Sequence, residues 1–173
     1  MSQQTENSMK KIFLSKIVLN MGVGKSGEPI EIGKKTLTQI TGKKPNARNP
    51  KKSQRDWGIR KGEPIGVAVT VRGNAAIELL KRLLVAKDNK INQRAIDNEG
   101  NVSFGIKEHI DIPEIKYDPK IGILGLEVSI SLARSGFNIR LRSKQKAKIG
   151  KSHRIIKNDT IKFLTEEFGV QVV

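Results

Sequence analysis

The side chains able to do chemistry fall into four groups along the chain. GVGKSG at 22–27 follows a strand-like KIVLNM and has the outline of a phosphate cradle. Two histidines, His109 and His153, and six carboxylates, Asp97, Glu99, Glu108, Asp111, Glu114 and Asp118, are the candidate acids, bases and metal ligands. Between Lys43 and Lys61 stand eight cations, Lys43, Lys44, Arg48, Lys51, Lys52, Arg55, Arg60 and Lys61, against the single acid Asp56. From Val128 to Asn158 there is no acid, while Arg134, Arg140, Arg142, Lys144, Lys146, Lys148, Lys151, Arg154 and Lys157 supply nine further positive charges.

The first groups do not assemble into a catalytic site. A nucleotide-cradling loop needs a glycine five residues before its Gly-Lys-Ser/Thr, so that backbone amides wrap the phosphates. For Gly24-Lys25-Ser26 that position is Leu19, and for Gly150-Lys151-Ser152 it is Gln145. The helix should also begin at Lys-Ser, whereas Gly27 and Pro29 follow. The Gly cluster reads instead as a tight turn after a strand. Two separated histidines lack metal-ligand spacing, and each reads as a solvent-facing or satisfied loop residue. The acids at 97–118 are interrupted by Pro113 and followed by Pro119, and they have no histidine partner. They read as an acidic edge facing away from a polyanion or toward a basic neighbour. With no cysteine there is no disulfide or thiolate chemistry, which suits a reducing, cytoplasmic setting. No cofactor, metal or enzymatic activity is expected.

The two basic groups carry the positive signal. Like charges packed this densely repel one another unless a polyanion neutralises them. A net charge of +16 makes nucleic acid the first partner to consider. An anionic membrane is disfavoured, since no apolar run approaches ~18 residues and no basic amphipathic helix dominates. Aromatics number seven, and SFGIKE at 103–108 lacks the doubled aromatics of a base-stacking sheet, so phosphate and shape recognition is the expected mode.

A chain of 173 residues fits one domain with a real core. Residues 1–10 read as a disordered lead-in and 11–173 as a single RNA-binding domain. Four segments alternate like half-buried strands. Ile17, Leu19 and Met21 share one side of the first. Ile65, Val67, Val69 and Val71 share one side of the second. Val102, Phe104 and Ile106 define the third, and Leu124 to Leu132 in steps of two define the fourth. Helices are expected from Pro29 to Thr41, from Asn74 as N-cap with Ile77, Leu80, Leu83 and Leu84 on its stripe, and from Asn158 to a stop at Gly169. A short strand at 170–173 follows. Without a βαβ repeat, the expected fold is α+β, a mainly antiparallel sheet with helices on one face. The opposite face, with Gly66, Ala68, Thr70, Ser103, Gly105, Gly125, Ser129 and Ser131, is small and polar. A nucleic-acid backbone can approach it closely; the alternative is an ordinary solvated face. The stretch 140–154 has no sustained period and is expected to be a basic loop, unstructured until RNA is present.

The runs KIVLNMGVG (16–24), ITGKKP (40–45), IRKGEPIGVAVTVRG (59–73), NVSFGIKEHIDIPEIKYDP (101–119) and GLEVSISLAR (125–134) resemble, in this order, the large-ribosomal-subunit protein five family. The resemblance runs from Lys16 to Val173, and the tail from Gly150 resembles the archaeal and eukaryotic branch. It implies a structural constituent of the large subunit. Such a protein binds 5S rRNA, attaches it to large-subunit rRNA in the central protuberance, and sits among neighbouring ribosomal proteins there. The alternatives are a nonspecific nucleic-acid-binding protein or chaperone, or a phosphate-binding enzyme using GVGKSG. By resemblance, 5S rRNA contacts map to Asn20, Lys43 and Thr70, with Gly22, Lys44, Arg48, Lys51, Lys52 and Arg72 beside them. Lys43 departs from the glutamine many relatives carry, which exchanges an amide contact for a phosphate contact. The family also extends a loop toward P-site tRNA, here Gln54 to Glu63 with Arg55, Trp57, Gly58, Arg60 and Lys61. Trp57 at its tip would stack or wedge, or else fold back to cap its own loop. Arg140, Arg142, Lys144, Lys146, Lys148, Lys151, His153 and Arg154 are the expected contacts to other rRNA. The N-terminus is shorter than the bacterial pattern, so contacts of the bacterial N-terminal helix do not carry over.

Overall fold

The computed structural model describes residues 7–24, 26–115, 119 and 122–173. Lys25 of GVGKSG, Asp118 of the acidic stretch and residues 1–6 of the lead-in lie outside them. Asn7 caps a single 3-10 turn, Ser8–Lys10. Strand β1, Ile12–Gly22, leads into helix α1, Glu28–Thr41. Strands β2, Asn46–Arg48, and β3, Gly66–Val71, precede helix α2, Asn74–Val85. The short β4, Lys90–Ile91, is followed by β5, Val102–Ile106, and β6, Leu126–Arg134. One-turn helix α3, Asn138–Leu141, helix α4, Lys157–Phe168, and strand β7, Gln171–Val172, complete the chain.

Five strands form one sheet in the order β2-β3-β1-β6-β5, and every neighbouring pair is antiparallel. The expected α+β architecture is the one found. β4 and β7 form a separate parallel pair that ties the end of the chain to the segment after α2. The core lies on one face of the large sheet. Ile17, Leu19 and Met21 of β1, Val67, Val69 and Val71 of β3, and Leu126, Val128 and Ile130 of β6 are all buried there. α1 covers it with Ile30, Leu37 and Ile40, α2 with Ala76, Leu79, Leu80, Leu83 and Leu84, and α4 with Leu164. Gly33 lets α1 approach β3, since a Cβ there would stand 2.9 Å from Val67 Cγ2.

Four local expectations need correction. β1 begins at Ile12, four residues before the alternation starts, because the register slips between Leu14 and Lys16. This bulge turns Ile12 and Leu14 to the core side and breaks the period of two that ends in Ile17, Leu19 and Met21. The N-cap of α2 is Gly73 at φ 72°, with Asn74 already helical. Ile77 is 40% exposed; it stands about 100° around the helix from Ala76, and the buried stripe runs through 76, 79/80 and 83/84. The fourth strand starts at Leu126 because His109 takes Leu124 first. His109 N–H donates to the Leu124 carbonyl at 3.0 Å, and the Leu124 N–H donates to buried His109 Nδ1 at 3.3 Å. α1 and α4 end as expected, each on a glycine in the left-handed conformation, Gly42 at φ 65° and Gly169 at φ 65°.

Candidate nucleic-acid interface

The face away from the helices is built row by row by the strand register. Arg48 lies opposite Gly66, and Gly66 opposite Gly22. The next row runs Asn46, Ala68, Asn20, Glu127, Gly105. Beside it stand Thr70, Val18, Ser129 and Ser103, with Ser103 Oγ 3.2 Å from Ser129 Oγ. Thr70, Ser103, Gly105 and Ser129 are exposed, while Ala68, flanked by Asn20 and Asn46, is buried. Gly66 is required by close backbone approach: a Cβ would stand 2.9 Å from the Met21 carbonyl oxygen. With no side chain at Gly22, Gly66 or Gly105, the face is low and lined by two amides, hydroxyls and Arg48.

One acid interrupts it. Glu127 is the only carboxylate on the open-face positions of the described strands, and Asn20 Nδ2 donates to its Oε2 at 3.1 Å. The bond orients the Asn20 amide and occupies one of its two donors. The family resemblance singles out Asn20 and misses its partner, because residues 107 apart in sequence are joined only by the β1–β6 register.

The antiparallel register sets the two basic groups at opposite ends of the sheet. Asn20–Gly22 at the close of β1, Gly66 at the start of β3 and all of β2 mark one end, with Lys43, Lys44, Lys51 and Lys52 exposed beside them. Arg48 sits on the edge strand β2, which three residues of weak β character did not announce. Arg72 is exposed one residue beyond β3.

Beyond β2 the chain folds into a miniature hairpin. Gln54 and Ile59 exchange backbone hydrogen bonds at 2.8 and 3.0 Å, and Gly58 at φ 64° donates to the Arg55 carbonyl at 3.0 Å. Lys61 N–H donates to Ser53 Oγ at 2.9 Å and braces the base. Trp57 is 74% exposed at the tip, so it does not fold back over its own loop. Arg55, Arg60 and Lys61 are exposed around it.

The other basic group sits where β1 begins and β6 ends. The stretch 140–154 is not uniformly irregular: α3 takes in Arg140, and Lys151–His153 form a 3-10 turn. Arg142 Nε donates to the Gln145 carbonyl at 2.9 Å, Arg154 Nε to the Ile149 carbonyl at 3.3 Å, and Ala147 N–H to the Ile139 carbonyl at 3.3 Å. Backbone carbonyls thus fold a charge-dense segment on itself. His153 packs edge-on against Phe137 and its Nε2 lies 2.8 Å from the Ser135 carbonyl oxygen. Lys144, Lys146, Lys148 and Lys151 are exposed. Beneath, Arg134 anchors the segment: Nη2 donates to Asp159 Oδ2 at 2.8 Å, and Nη1 to the Arg154 carbonyl at 3.1 Å.

The described acids flank edge strand β5 at both ends and are partly used within the fold. Asp97 accepts from the backbone N–H groups of Glu99 and Asn101, Glu99 pairs with Arg140 at 3.2 Å, and Glu114 pairs with Arg82 at 3.1 Å. Among the described residues no cluster of three potential ligands could hold a metal, and no helix is long and apolar enough to cross a membrane.

Comparison with known proteins bears on the whole of this surface. Residues 7–60 match the family described as ribosomal protein L5, and residues 64–163 match the model for the C-terminus of the ribosomal L5 family. The chain is 64% identical over 172 residues to the large ribosomal subunit protein uL5 of Nitrosopumilus maritimus, covering 99% of each. It is 56% identical to that of Cenarchaeum symbiosum, covering 95% of this chain and 98% of the relative. Identity to the Pyrobaculum aerophilum protein of the same name is 46%, over 95% of this chain and 92% of the relative.

Proposed function

The chain belongs to the ribosomal protein L5 family, and from that premise we propose that its open sheet face binds 5S rRNA while its Gln54–Ile59 hairpin reaches toward P-site tRNA. At the coarser level it is a structural constituent of the large ribosomal subunit in the cytoplasm, not an enzyme. The observation that carries the finer reading is the row structure of the open face. Asn20, Thr70 and Arg48 share one low surface, and glycines stand where bulk would hold a phosphate backbone away. Cations beside the face neutralise phosphates and supply affinity; the Asn20 amide and the Thr70 hydroxyl fix register by hydrogen bonding.

The second basic group, at the opposite end of the strands, belongs in this reading to the large-subunit rRNA, so that the protein bridges two RNAs. The hairpin is the third contact. Its exposed Trp57 gives a π-face for stacking, and Arg55, Arg60 and Lys61 give phosphate contacts. Neighbouring proteins of the central protuberance would meet the acid-flanked edge strand β5.

Titration of the purified protein with 5S rRNA, an unrelated structured RNA and duplex DNA across salt concentrations tests the reading. Selective 5S binding is expected, weakening ~10³–10⁵-fold between 50 and 200 mM salt if ~6–10 phosphates are contacted. Equal affinity for all three would replace it with a nonspecific nucleic-acid-binding role.

A further inference from the structure

We propose that the cavity beside α3 is a nucleotide pocket that takes one unstacked nucleotide of a single-stranded RNA segment, base inward and phosphate at the rim. The cavity measures about 600 Å³, within the range of sites that enclose small ligands. Its floor is apolar: Ile155 is buried, and Phe137 and Ile149 are half-buried around it. Its rim is cationic, with Arg140, Lys146, Lys148 and Arg154 against the single carboxylate Glu99. That carboxylate is already engaged by Arg140 at 3.2 Å. Among the described residues neither Lys146 nor Lys148 has a salt-bridge partner.

The walls are prebuilt. Gln145 at φ 50° turns the chain back, and the Ala147–Ile139 and Arg154–Ile149 bonds hold the strip 145–149 over α3. The lining therefore suits a ligand that is apolar at one end and anionic at the other. Inorganic phosphate would waste the floor, and a neutral aromatic would waste the rim. A nucleotide uses both, because every base offers a π-face to an aromatic side chain and its phosphate meets the cations. Unstacked bases are the part of RNA that proteins enclose in this way. The choice of RNA as the source rests on the function proposed above; the chemistry of the pocket does not.

The test uses the full chain and two arms. In the first, AMP, adenosine and ribose 5-phosphate are titrated while ¹H–¹⁵N NMR shifts of Phe137 and residues 146–149 are followed. AMP should bind at least tenfold more tightly than either fragment. Ala147→Trp, on an exposed lining residue, should fill the cavity and abolish AMP binding, with the remaining spectrum and 5S rRNA affinity unchanged. Equal affinity for AMP and ribose 5-phosphate, or AMP binding that survives Ala147→Trp, overturns the pocket. In the second arm, a short single-stranded RNA carrying 4-thiouridine is photo-cross-linked and the modified peptides are mapped. Cross-links at Phe137 or 146–149 that excess AMP suppresses are expected. AMP binding without such cross-links overturns RNA as the source. 5S rRNA enters only as the control ligand for Ala147→Trp, and the pocket stands or falls on AMP and the cross-links, so failure here is separable from failure of the sheet-face reading.

Discussion

Asp159→Asn probes what holds the C-terminal basic segment to the sheet, together with the cap of α4, where the same Oδ2 accepts from the Ile156 N–H at 3.3 Å. Arg134 sits at the end of β6 with its side chain 11% exposed, and Asp159 at 28% exposed meets it from the first turn of α4 at 2.8 Å. Arg134 Nε is buried and has no partner among the described residues. The guanidinium thus depends on Asp159 and the Arg154 carbonyl. Breaking a fully buried pair by removing one partner costs about 3–5 kcal/mol, and an exposed pair is worth under about 1 kcal/mol. The intermediate burial, and an amide oxygen that still accepts one hydrogen bond, put Asp159→Asn at about 2 kcal/mol. For a chain of this size that lowers Tm by about 4–8 °C. Glu99→Gln, in a pair exposed at 66% and 57%, is the surface control and should change stability by less than about 0.5 kcal/mol. Arg134→Met should cost under about 1 kcal/mol, since it keeps the buried stem, removes the unpartnered Nε and leaves a carboxylate that water reaches. Urea unfolding followed by circular dichroism measures all three. An Arg134→Met variant less stable than Asp159→Asn would refute the reasoning, because packing rather than an abandoned buried charge would then dominate.

Thr70→Val keeps strand shape and removes one hydroxyl, so 5S rRNA affinity should fall about 3–10-fold with an unchanged salt slope, measured by filter binding; wild-type affinity would eliminate that contact. Replacing Arg55, Arg60 and Lys61 together with Ala should spare 5S binding and weaken retention of peptidyl-tRNA on assembled ribosomes. Loss of 5S binding instead would mean that the hairpin faces the other RNA. Glu127→Gln keeps an acceptor for Asn20 and deletes a negative charge; with phosphates ~8 Å away in water-like surroundings the gain is about 0.5 kcal/mol, roughly twofold tighter nonspecific RNA binding at low salt. Unrelated RNA binding no tighter than to wild type would count against RNA approaching this face. Thr160→Val strips the buried hydroxyl that donates to the Gly100 carbonyl at 3.0 Å. It should cost about 1–3 kcal/mol in chemical denaturation, and wild-type stability would show that the carbonyl finds another donor.

Much of the frame is legible in the sequence because it rests on period and punctuation. Alternation in Ile17–Met21, Val67–Val71 and Val102–Ile106 marks one buried face, and Gly42 and Gly169 end their helices through a conformation that glycine adopts without strain. What escapes such a reading does so for identifiable reasons. The bulge at Ser15 hides the first third of β1 by shifting its period, and β2 is too short and too charged to stand out from the basic segment around it. Ile77 falls off the buried stripe because Ala76 and Leu79 define a face rotated from the one that hydrophobicity alone suggests. The stretch 140–154 lacks period because its order comes from side chains donating to backbone carbonyls, which leaves no hydrophobic trace.

Composition and charge are enough to name a polyanion as the partner, since no arrangement of the backbone removes sixteen net positive charges. They also locate the two basic blocks and, through alternation, the small polar face between them. Folding adds what no composition holds: the blocks stand at opposite ends of the strands, Glu127 orients Asn20, and the C-terminal block lines an open cavity. Those are relations between residues far apart in sequence, set by strand register and by how one half-buried arginine is satisfied. A local pattern carries no information about either.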